Sequence, residues 1–263
     1  MTENYFYNDI LDNLLCHIGY GVGESDPNLV ELLIVGNESG TGGLTLIDFL
    51  NGYHVSKDEP ADASKDATRT SPFLQYIKRF SLYMQDGNEK WFNSKRTFNP
   101  VEDFGKITQD WCGRNTHLID IRPLPRTNES QWPYEVFNIN KALYIDAFNT
   151  FNANAASPYG EWVKRRKSHL NQQLASYPNL KYIIAPGAIY MKKNFLENCF
   201  PFDRPFTKID FINNRGKKKE FMVNHFTLNG REVKVCICSF FNHYLLGLDG
   251  LKFMATEIFN QPK

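Results

Sequence analysis

The sequence predicts an α/β fold in which helices cover both faces of a central, mainly parallel four-stranded sheet. Apolar, β-favouring runs carry this prediction, because each run ends in a loop of polar or glycine residues, as buried parallel strands do. These runs lie near residues 31–36, 117–121, 181–186 and 233–239. Helical segments separate them, and the alternation of strand and helix indicates parallel βαβ units. We therefore expect one three-layer α/β/α domain over residues 1–263.

Helical periodicity identifies segments between these strands. Apolar side chains recur at intervals of three and four over residues 5–20 and 71–85. Ser71 and Pro72 give the second of these segments a good N-cap and first turn. Further helices are predicted over residues 135–150, 160–176, 189–199 and 247–259. Residues 51–70 are polar and rich in helix breakers, so we expect a flexible surface loop there.

A β-hairpin is predicted near residues 220–239. Its two strands, EFMVNHFTL and REVKVCICSF, are joined by Asn229-Gly230, the dipeptide that favours a tight hairpin turn. The run from Asn213 to Gly216 is a further turn signal just before the first of these strands.

Length, charge and cysteine usage restrict the class of function. The 263 residues include 30 basic and 29 acidic side chains, so contact with a nucleic acid would need local basic patches. Five scattered cysteines without a C-x-x-C pair argue against a disulfide framework or a zinc ribbon. No window contains the roughly 18 apolar residues of a membrane span. We expect a cytoplasmic monomer without metal or cofactor.

A glycine-rich turn with unusual polar residues follows the first strand. In Gly36-Asn37-Glu38-Ser39-Gly40 the spacing fits neither a dinucleotide-binding fingerprint nor a P-loop. A structural role is one interpretation, in which Asn37 adopts a left-handed turn and Glu38 caps the next helix. A functional role is the other, because the carboxyl ends of parallel strands line one crevice, the usual ligand site.

Two other strand ends carry polar residues. The stretch THLIDIRPLPR ends the second strand with Asp120 and Arg122, which form either a salt bridge or, through Arg122, a phosphate contact. The stretch VCICSFFNHYLLG places Asn242, His243 and Tyr244 in the loop after the last strand.

The chain resembles the uracil-DNA glycosylase superfamily over residues 30–259. The resemblance lies in four motifs that occur in the same order: the LLIVG-x-x-x-G turn, the NTHLIDIRPLP strand, the YIIAPG strand and the final strand, which runs into H-Y-L-L. The resemblance implies an enzyme that flips a base out of DNA and hydrolyses its N-glycosidic bond, leaving an abasic site. The family's first motif, G-x-[D/N/E]-P-[G/Y], is matched by G-N-E-S-G. Glu38 then occupies the position of the residue that orients the attacking water, and Asn37 is the substitute if Glu38 points away.

The last family motif is matched with more departures. When Tyr244-Leu245-Leu246 is aligned with the x-L-L of H-P-S-x-L-L, Phe241 takes the place of the family histidine. His243 is then the candidate that stabilises the departing base, or else a surface or capping residue. An apolar side chain of this loop would enter the base stack, unless the leucines only begin the buried face of the last helix.

The resemblance also implies base and backbone contacts. The implied base-binding residues are His117, Asn115, Gly36, Ser39 and Gly40. The implied DNA contacts are Arg122, Ser239, Asn242, Tyr244 and Leu245. The basic run Lys217, Lys218 and Lys219 is a candidate DNA contact on its charge alone, with a solvated face as the alternative. Further basic residues at 164–167 and 192–193 are phosphate contacts or simply solvated. We expect Asn37, Glu38, His117 and His243 to converge on one pocket.

His117 stands where uracil-specific relatives have a base-reading asparagine. An imidazole offers one hydrogen-bonding group at a time in that direction, whereas an amide offers two, so uracil is disfavoured. Asn115 would supply the amide if the strand register differs by two. We expect a modified pyrimidine such as glucosylated hydroxymethylcytosine of phage DNA, and hence an antiphage role. Uracil repair and non-catalytic nucleic-acid binding are the alternatives.

Overall fold

The computed structural model describes residues 6–16, 20–21, 26–38, 72–93, 115–126, 130–242 and 244–259. Several predicted features lie outside these described residues, namely Ser39, Gly40, His243 and the loop at 51–70.

A mixed sheet forms the centre of the described structure. Its strands are β1 (Tyr20–Gly21), β2 (Leu32–Glu38), β3 (Thr116–Arg122), β4 (Tyr182–Pro186), β5 (Thr207–Ile212), β6 (Lys218–Leu228) and β7 (Arg231–Cys238). They lie in the order β1-β3-β2-β4-β7-β6-β5. The four predicted strands are its parallel middle, and β1, β5 and β6 extend it as antiparallel strands. The α/β class is confirmed, with a larger sheet than the four strands expected.

Helices connect these strands. They are α1 (Leu11–Cys16), α2 (Pro72–Asp86), α3 (Lys141–Thr150), α4 (Tyr159–Ala175), α5 (Ile189–Cys199) and α6 (Gly247–Phe253). One-turn π segments, Phe6–Ile10 and Met254–Ile258, precede α1 and follow α6. No helix of the described segments has the length and apolarity needed to cross a bilayer.

Two hydrophobic cores lie on opposite faces of the sheet. Alternate side chains of β2 show this directly, because Leu33 and Val35 belong to one core while Leu32 and Ile34 belong to the other. The first core also contains buried residues of α1, α3, α4 and α5, and the second those of α2 and α6. The described structure therefore has the predicted α/β/α layering.

The predicted helix at residues 135–150 is divided in two. A short 3-10 turn, Pro133–Phe137, ends at Asn138, whose φ of 57° is left-handed and incompatible with a continuing helix. Asn140 then caps α3 by accepting a hydrogen bond from the Leu143 amide over 3.1 Å.

The predicted hairpin joins β6 to β7 through Asn229 and Gly230, both at positive φ as a tight hairpin turn requires. A second hairpin, formed by β5 and β6, extends past the carboxyl edge of the parallel strands. Its last paired row, Ile212 with Lys218, lies three residues beyond the row that contains Cys238, the final residue of β7. At the usual rise per residue this is an extension of about 10 Å.

Candidate functional site at the carboxyl edge of the sheet

Glu38, the last residue of β2, is buried between two arginines. Its Oε1 accepts hydrogen bonds from Nε and Nη2 of Arg126 over 2.9 and 2.6 Å, and its Oε2 accepts one from Nη1 of Arg122 over 3.2 Å. The Glu38 side chain is only 9% exposed. Guanidinium donors occupy both carboxylate oxygens, so this geometry favours an anchoring role for Glu38 over contact with an attacking water.

The loop after β3 owes its position to two buried tyrosines. The hydroxyl of Tyr144 accepts a hydrogen bond from the Leu124 amide over 3.1 Å, and the hydroxyl of Tyr134 donates one to the Pro125 carbonyl over 2.6 Å. Burial raises the pKa of Tyr134 and Tyr144 above the usual range, which keeps both hydroxyls protonated. The two hydrogen bonds fix the backbone from which Arg126 reaches Glu38.

Arg122 is anchored on both sides. Besides Glu38, it contacts Asn149 of α3, donating from Nη2 to Oδ1 over 2.5 Å. The predicted pairing of Arg122 with Asp120 is therefore corrected, since its guanidinium binds Glu38 and Asn149 instead. With its side chain only 8% exposed, Arg122 is also badly placed to contact a DNA phosphate.

Gly36 accommodates a buried carboxylate. A Cβ at this position would lie 2.0 Å from Oδ1 of Asp120, its cross-strand neighbour. Lys192 of α5 also reaches this edge and donates from Nζ to the Val35 carbonyl over 2.5 Å. Burial lowers the pKa of Lys192 well below its usual range, with Asp120 opposing the shift. Lys192 is fully buried, so it is not available as the surface phosphate contact that the sequence suggested.

Asn37 has an unused acceptor. Its Oδ1 is buried and has no hydrogen-bond partner within the described residues. Nε of Arg122 is likewise buried and has no hydrogen-bond acceptor within the described residues. Such atoms are rare in folded proteins, and they suit a site that receives a water or a ligand group. We call Asn37, Glu38, Asp120, Arg122, Arg126, Asn149 and Lys192 the edge cluster.

His117 and Asn115 do not join the edge cluster. Asn115 precedes β3, and its carbonyl accepts hydrogen bonds from the amides of Glu31 and Leu32 at the amino end of β2. His117 pairs in register with Leu33, is fully buried, and its ring centroid lies 5.6 Å from that of Tyr177. Five residues of strand, about 16 Å, separate His117 from Arg122. The expected convergence with Asn37 and Glu38 is therefore wrong for both residues.

Side-chain hydrogen bonds hold the backbone of Tyr244 and Leu245 in the loop after β7, while their side chains are exposed. Oδ1 of Asn242 accepts hydrogen bonds from the amides of Tyr244 and Leu245 over 2.9 and 2.7 Å. Nζ of Lys219 donates to the carbonyls of these same two residues, over 3.2 Å to Tyr244. The side chains of Tyr244 and Leu245 are 84% and 48% exposed.

The predicted DNA contacts of this region therefore divide into two groups. Tyr244 and Leu245 face solvent, as a DNA-contacting tip requires, whereas Leu246 is fully buried. Lys219 is 7% exposed, and its ammonium binds backbone carbonyls of the loop. The prediction of Lys219 as a DNA contact is therefore corrected, because the residue anchors the loop instead. Lys218 pairs with Asp210 over 2.7 Å, and Lys217 is exposed. Ser239 lies just past β7 and is partly buried.

Two members of the edge cluster, Arg126 and Asn149, were missed in the sequence, and Lys192 was considered only as a surface phosphate contact. Arg126 ends the stretch THLIDIRPLPR, directly after the second predicted strand, so a signal for it existed. Asn149 and Lys192 lie on helices, and no local pattern marks them as neighbours of Glu38. Within the described residues, no group of three or more His, Cys, Asp or Glu side chains is arranged to hold a metal ion.

Comparison of the chain with protein-family models, with curated proteins and with solved structures found no match in any of the three.

Proposed function

We propose that this protein is a DNA glycosylase that hydrolyses the N-glycosidic bond of a flipped-out modified pyrimidine and leaves an abasic site. The observation that carries the proposal is the buried, unpartnered Oδ1 of Asn37 at the carboxyl end of β2. In a parallel sheet this edge is the usual ligand site. The resemblance of the surrounding motifs to the uracil-DNA glycosylase superfamily supplies the reaction.

The proposed chemistry assigns the two neighbouring polar residues different roles. Hydrolysis proceeds through an oxocarbenium-like sugar, which a positioned water attacks on the face opposite the departing base. Oδ1 of Asn37 accepts a hydrogen bond from that water and orients it. Glu38, held by Arg122 and Arg126, fixes the strand end that carries Asn37. His243 remains the proposed donor to the departing base.

The choice of base has two candidates. A modified pyrimidine such as glucosylated hydroxymethylcytosine of phage DNA is the first, with an antiphage role. Uracil in repair is the second, and the position of His117 removes the sequence-based argument against it. That residue was the reason to disfavour uracil, and it lies at the opposite edge of the sheet from Asn37.

An excision assay tests the activity and the base together. Purified protein is incubated with uracil-containing, unmodified and glucosylated DNA, and abasic sites are detected by alkaline strand cleavage. We expect cleavage of the glucosylated or the uracil-containing DNA and none of the unmodified DNA. No abasic product on any of the three would contradict the glycosylase proposal.

A non-catalytic nucleic-acid-binding protein is the second candidate function. The engagement of both Glu38 oxygens by arginines favours it, because the acid at the expected catalytic position is occupied. An Asn37→Ala variant separates the two. Loss of base release with DNA binding retained supports an enzyme, and binding by the wild-type protein without any base release supports the binder.

A further inference from the structure

A cleft lies between the turn of the β5–β6 hairpin and the loop that follows β7. We call it the hairpin cleft. Its lining includes Asn213, Arg215, Lys217, Tyr244, Asp249 and Lys252. No part of the edge cluster contributes to it, so it is a separate feature of the same end of the molecule.

The hairpin side of the cleft is preorganised. Oδ1 of Asn213 accepts hydrogen bonds from the amides of Arg215 and Lys217 over 3.1 and 2.8 Å, which fixes the turn. The hairpin also packs on α6, since the rings of Phe211 and Phe253 stack with centroids 4.5 Å apart. Arg215 and Lys217 therefore project from a fixed backbone.

The opposite side presents an exposed ring on a fixed backbone. Asn242 and Lys219 hold the main chain of Tyr244 through the hydrogen bonds described above. The Tyr244 side chain is 84% exposed. A rigid backbone with an accessible aromatic face is what a stacking contact with a nucleic-acid base requires.

The cations of the cleft differ in whether an acid neutralises them. Arg215 and Lys217 are exposed and have no ion-pair partner within the described segments. Lys252, by contrast, pairs with Glu89 over 2.7 Å. The carboxylate of Asp249 accepts hydrogen bonds from the backbone amides of Asn214 and Gly250, and none of the ion pairs within the described residues includes it. Two cations beside an aromatic ring are thus left for an anionic partner.

The position of the cleft suits a strand that also passes the edge cluster. Strands β4, β7 and β6 follow β2 across the sheet, so β6 lies about 14 Å from β2 at the usual strand spacing. This distance corresponds to about four nucleotides along one strand of B-form DNA. The β5–β6 hairpin projects past the edge on the side where Asn37 lies.

We propose that the hairpin cleft binds single-stranded DNA about four nucleotides from the target nucleotide, with Arg215 and Lys217 contacting phosphates and Tyr244 stacking on a base. The identity of the strand as DNA rests on the proposed function. The Tyr244 ring lies beside the cations Arg215 and Lys217, and this combination favours a nucleic acid over an acidic peptide. A nucleic acid supplies both phosphates for the cations and a planar base for the ring, whereas an acidic peptide supplies no base.

Fluorescence anisotropy with a labelled single strand of about twelve nucleotides tests this proposal across a salt series. The Arg215→Ala/Lys217→Ala double variant should reduce the slope of log affinity against log salt by about 1.4, since each phosphate contact on a single strand contributes about 0.7. Lys181→Ala is the matched control, because that exposed lysine pairs with Glu31 at the opposite, amino edge of the sheet, so its slope should match the wild type.

Substitution of the ring tests the stacking contact. Tyr244→Ala should weaken binding by about ten-fold or more, and Tyr244→Phe should restore it because the ring is retained. An unchanged salt slope in the double variant, equal affinity of Tyr244→Ala and wild type, or equal competition by a polyglutamate peptide would each overturn the proposal. Base release is measured separately. If the cleft binds the strand but the protein releases no base, only the glycosylase proposal is contradicted. If the protein releases base and the double variant binds the strand with the wild-type salt slope, only the proposal for the cleft is contradicted.

Discussion

The edge cluster and the hairpin cleft lie at the same end of the sheet, but they use their cations in opposite ways. In the edge cluster, Arg122 and Arg126 are buried and bound to Glu38 of the same chain. In the hairpin cleft, Arg215 and Lys217 are exposed and no described acid pairs with them. The first set stabilises the fold around Asn37, and the second is available to a partner. Basic residues near a site are thus evidence of DNA contact only when their own chain leaves them unpaired.

The largest expected effect concerns the buried side of this comparison. Glu38→Gln leaves Arg122 and Arg126 buried with uncompensated charge, and we expect the free energy of unfolding to fall by about 3–5 kcal/mol. Urea unfolding measures it. Glu31→Gln, which removes an exposed pair with Lys181, is the control and should change stability by about 1 kcal/mol or less. Equal, small effects of both substitutions would show that the two arginines do not depend on Glu38.

The buried Lys192 should make stability depend on alkaline pH. Its pKa is lowered in the folded state but ordinary in the unfolded state, so the unfolded chain binds more protons below about pH 10.5. The folded state therefore gains stability as pH rises towards that value, by up to about 1.4 kcal/mol per pH unit.

Comparison with Lys192→Met isolates this dependence. We expect the unfolding free energy of the wild type, relative to that of the variant, to rise between about pH 7 and about pH 9.5. Tyr134 and Tyr144, whose pKa values are raised, contribute stability that is lost only above about pH 10, outside this range. Parallel pH profiles for the two proteins would place the Lys192 ammonium in a solvated setting instead.

The smallest expected effect concerns the anchored loop. Lys219→Met removes the ammonium that binds the carbonyls of Tyr244 and Leu245, so the loop should open more often. We expect chymotrypsin to cleave after Tyr244 several-fold faster than in the wild type, with global stability reduced by about 1 kcal/mol. Lys218→Met should behave as wild type. A wild-type cleavage rate in Lys219→Met would restore Lys219 to the list of candidate DNA contacts.

Much of the fold could be predicted because its signals are local. Continuous apolar runs identified the four parallel strands, and Asn229-Gly230 identified the β6–β7 hairpin. Strand β5 was missed because TKIDFI alternates polar and apolar residues on an edge of the sheet and is largely exposed. The break at Asn138 was missed because periodicity continues across it while the backbone there turns left-handed.

The site could be predicted only in part, because its contacts are not local. The polar end of β2 was identified from Asn37 and Glu38 themselves. Arg126 is 88 positions from Glu38 in the chain, and nothing near either residue signals that they pair. The prediction that His117 lies near Asn37 was wrong for another reason. The motif indicates that His117 belongs to β3, but it does not indicate how far along β3 the residue lies from the edge that carries Asn37.

The central claim is that Asn37, rather than Glu38, orients the attacking water. Single-turnover base release by Asn37→Ala, on whichever DNA the wild type cleaves, tests it most directly. We expect the rate to fall by about 100-fold or more, while DNA affinity and unfolding free energy stay at wild-type values. Asn198→Ala, an exposed asparagine of α5, controls for loss of an amide and should release base at the wild-type rate. Wild-type base release by Asn37→Ala would contradict the account.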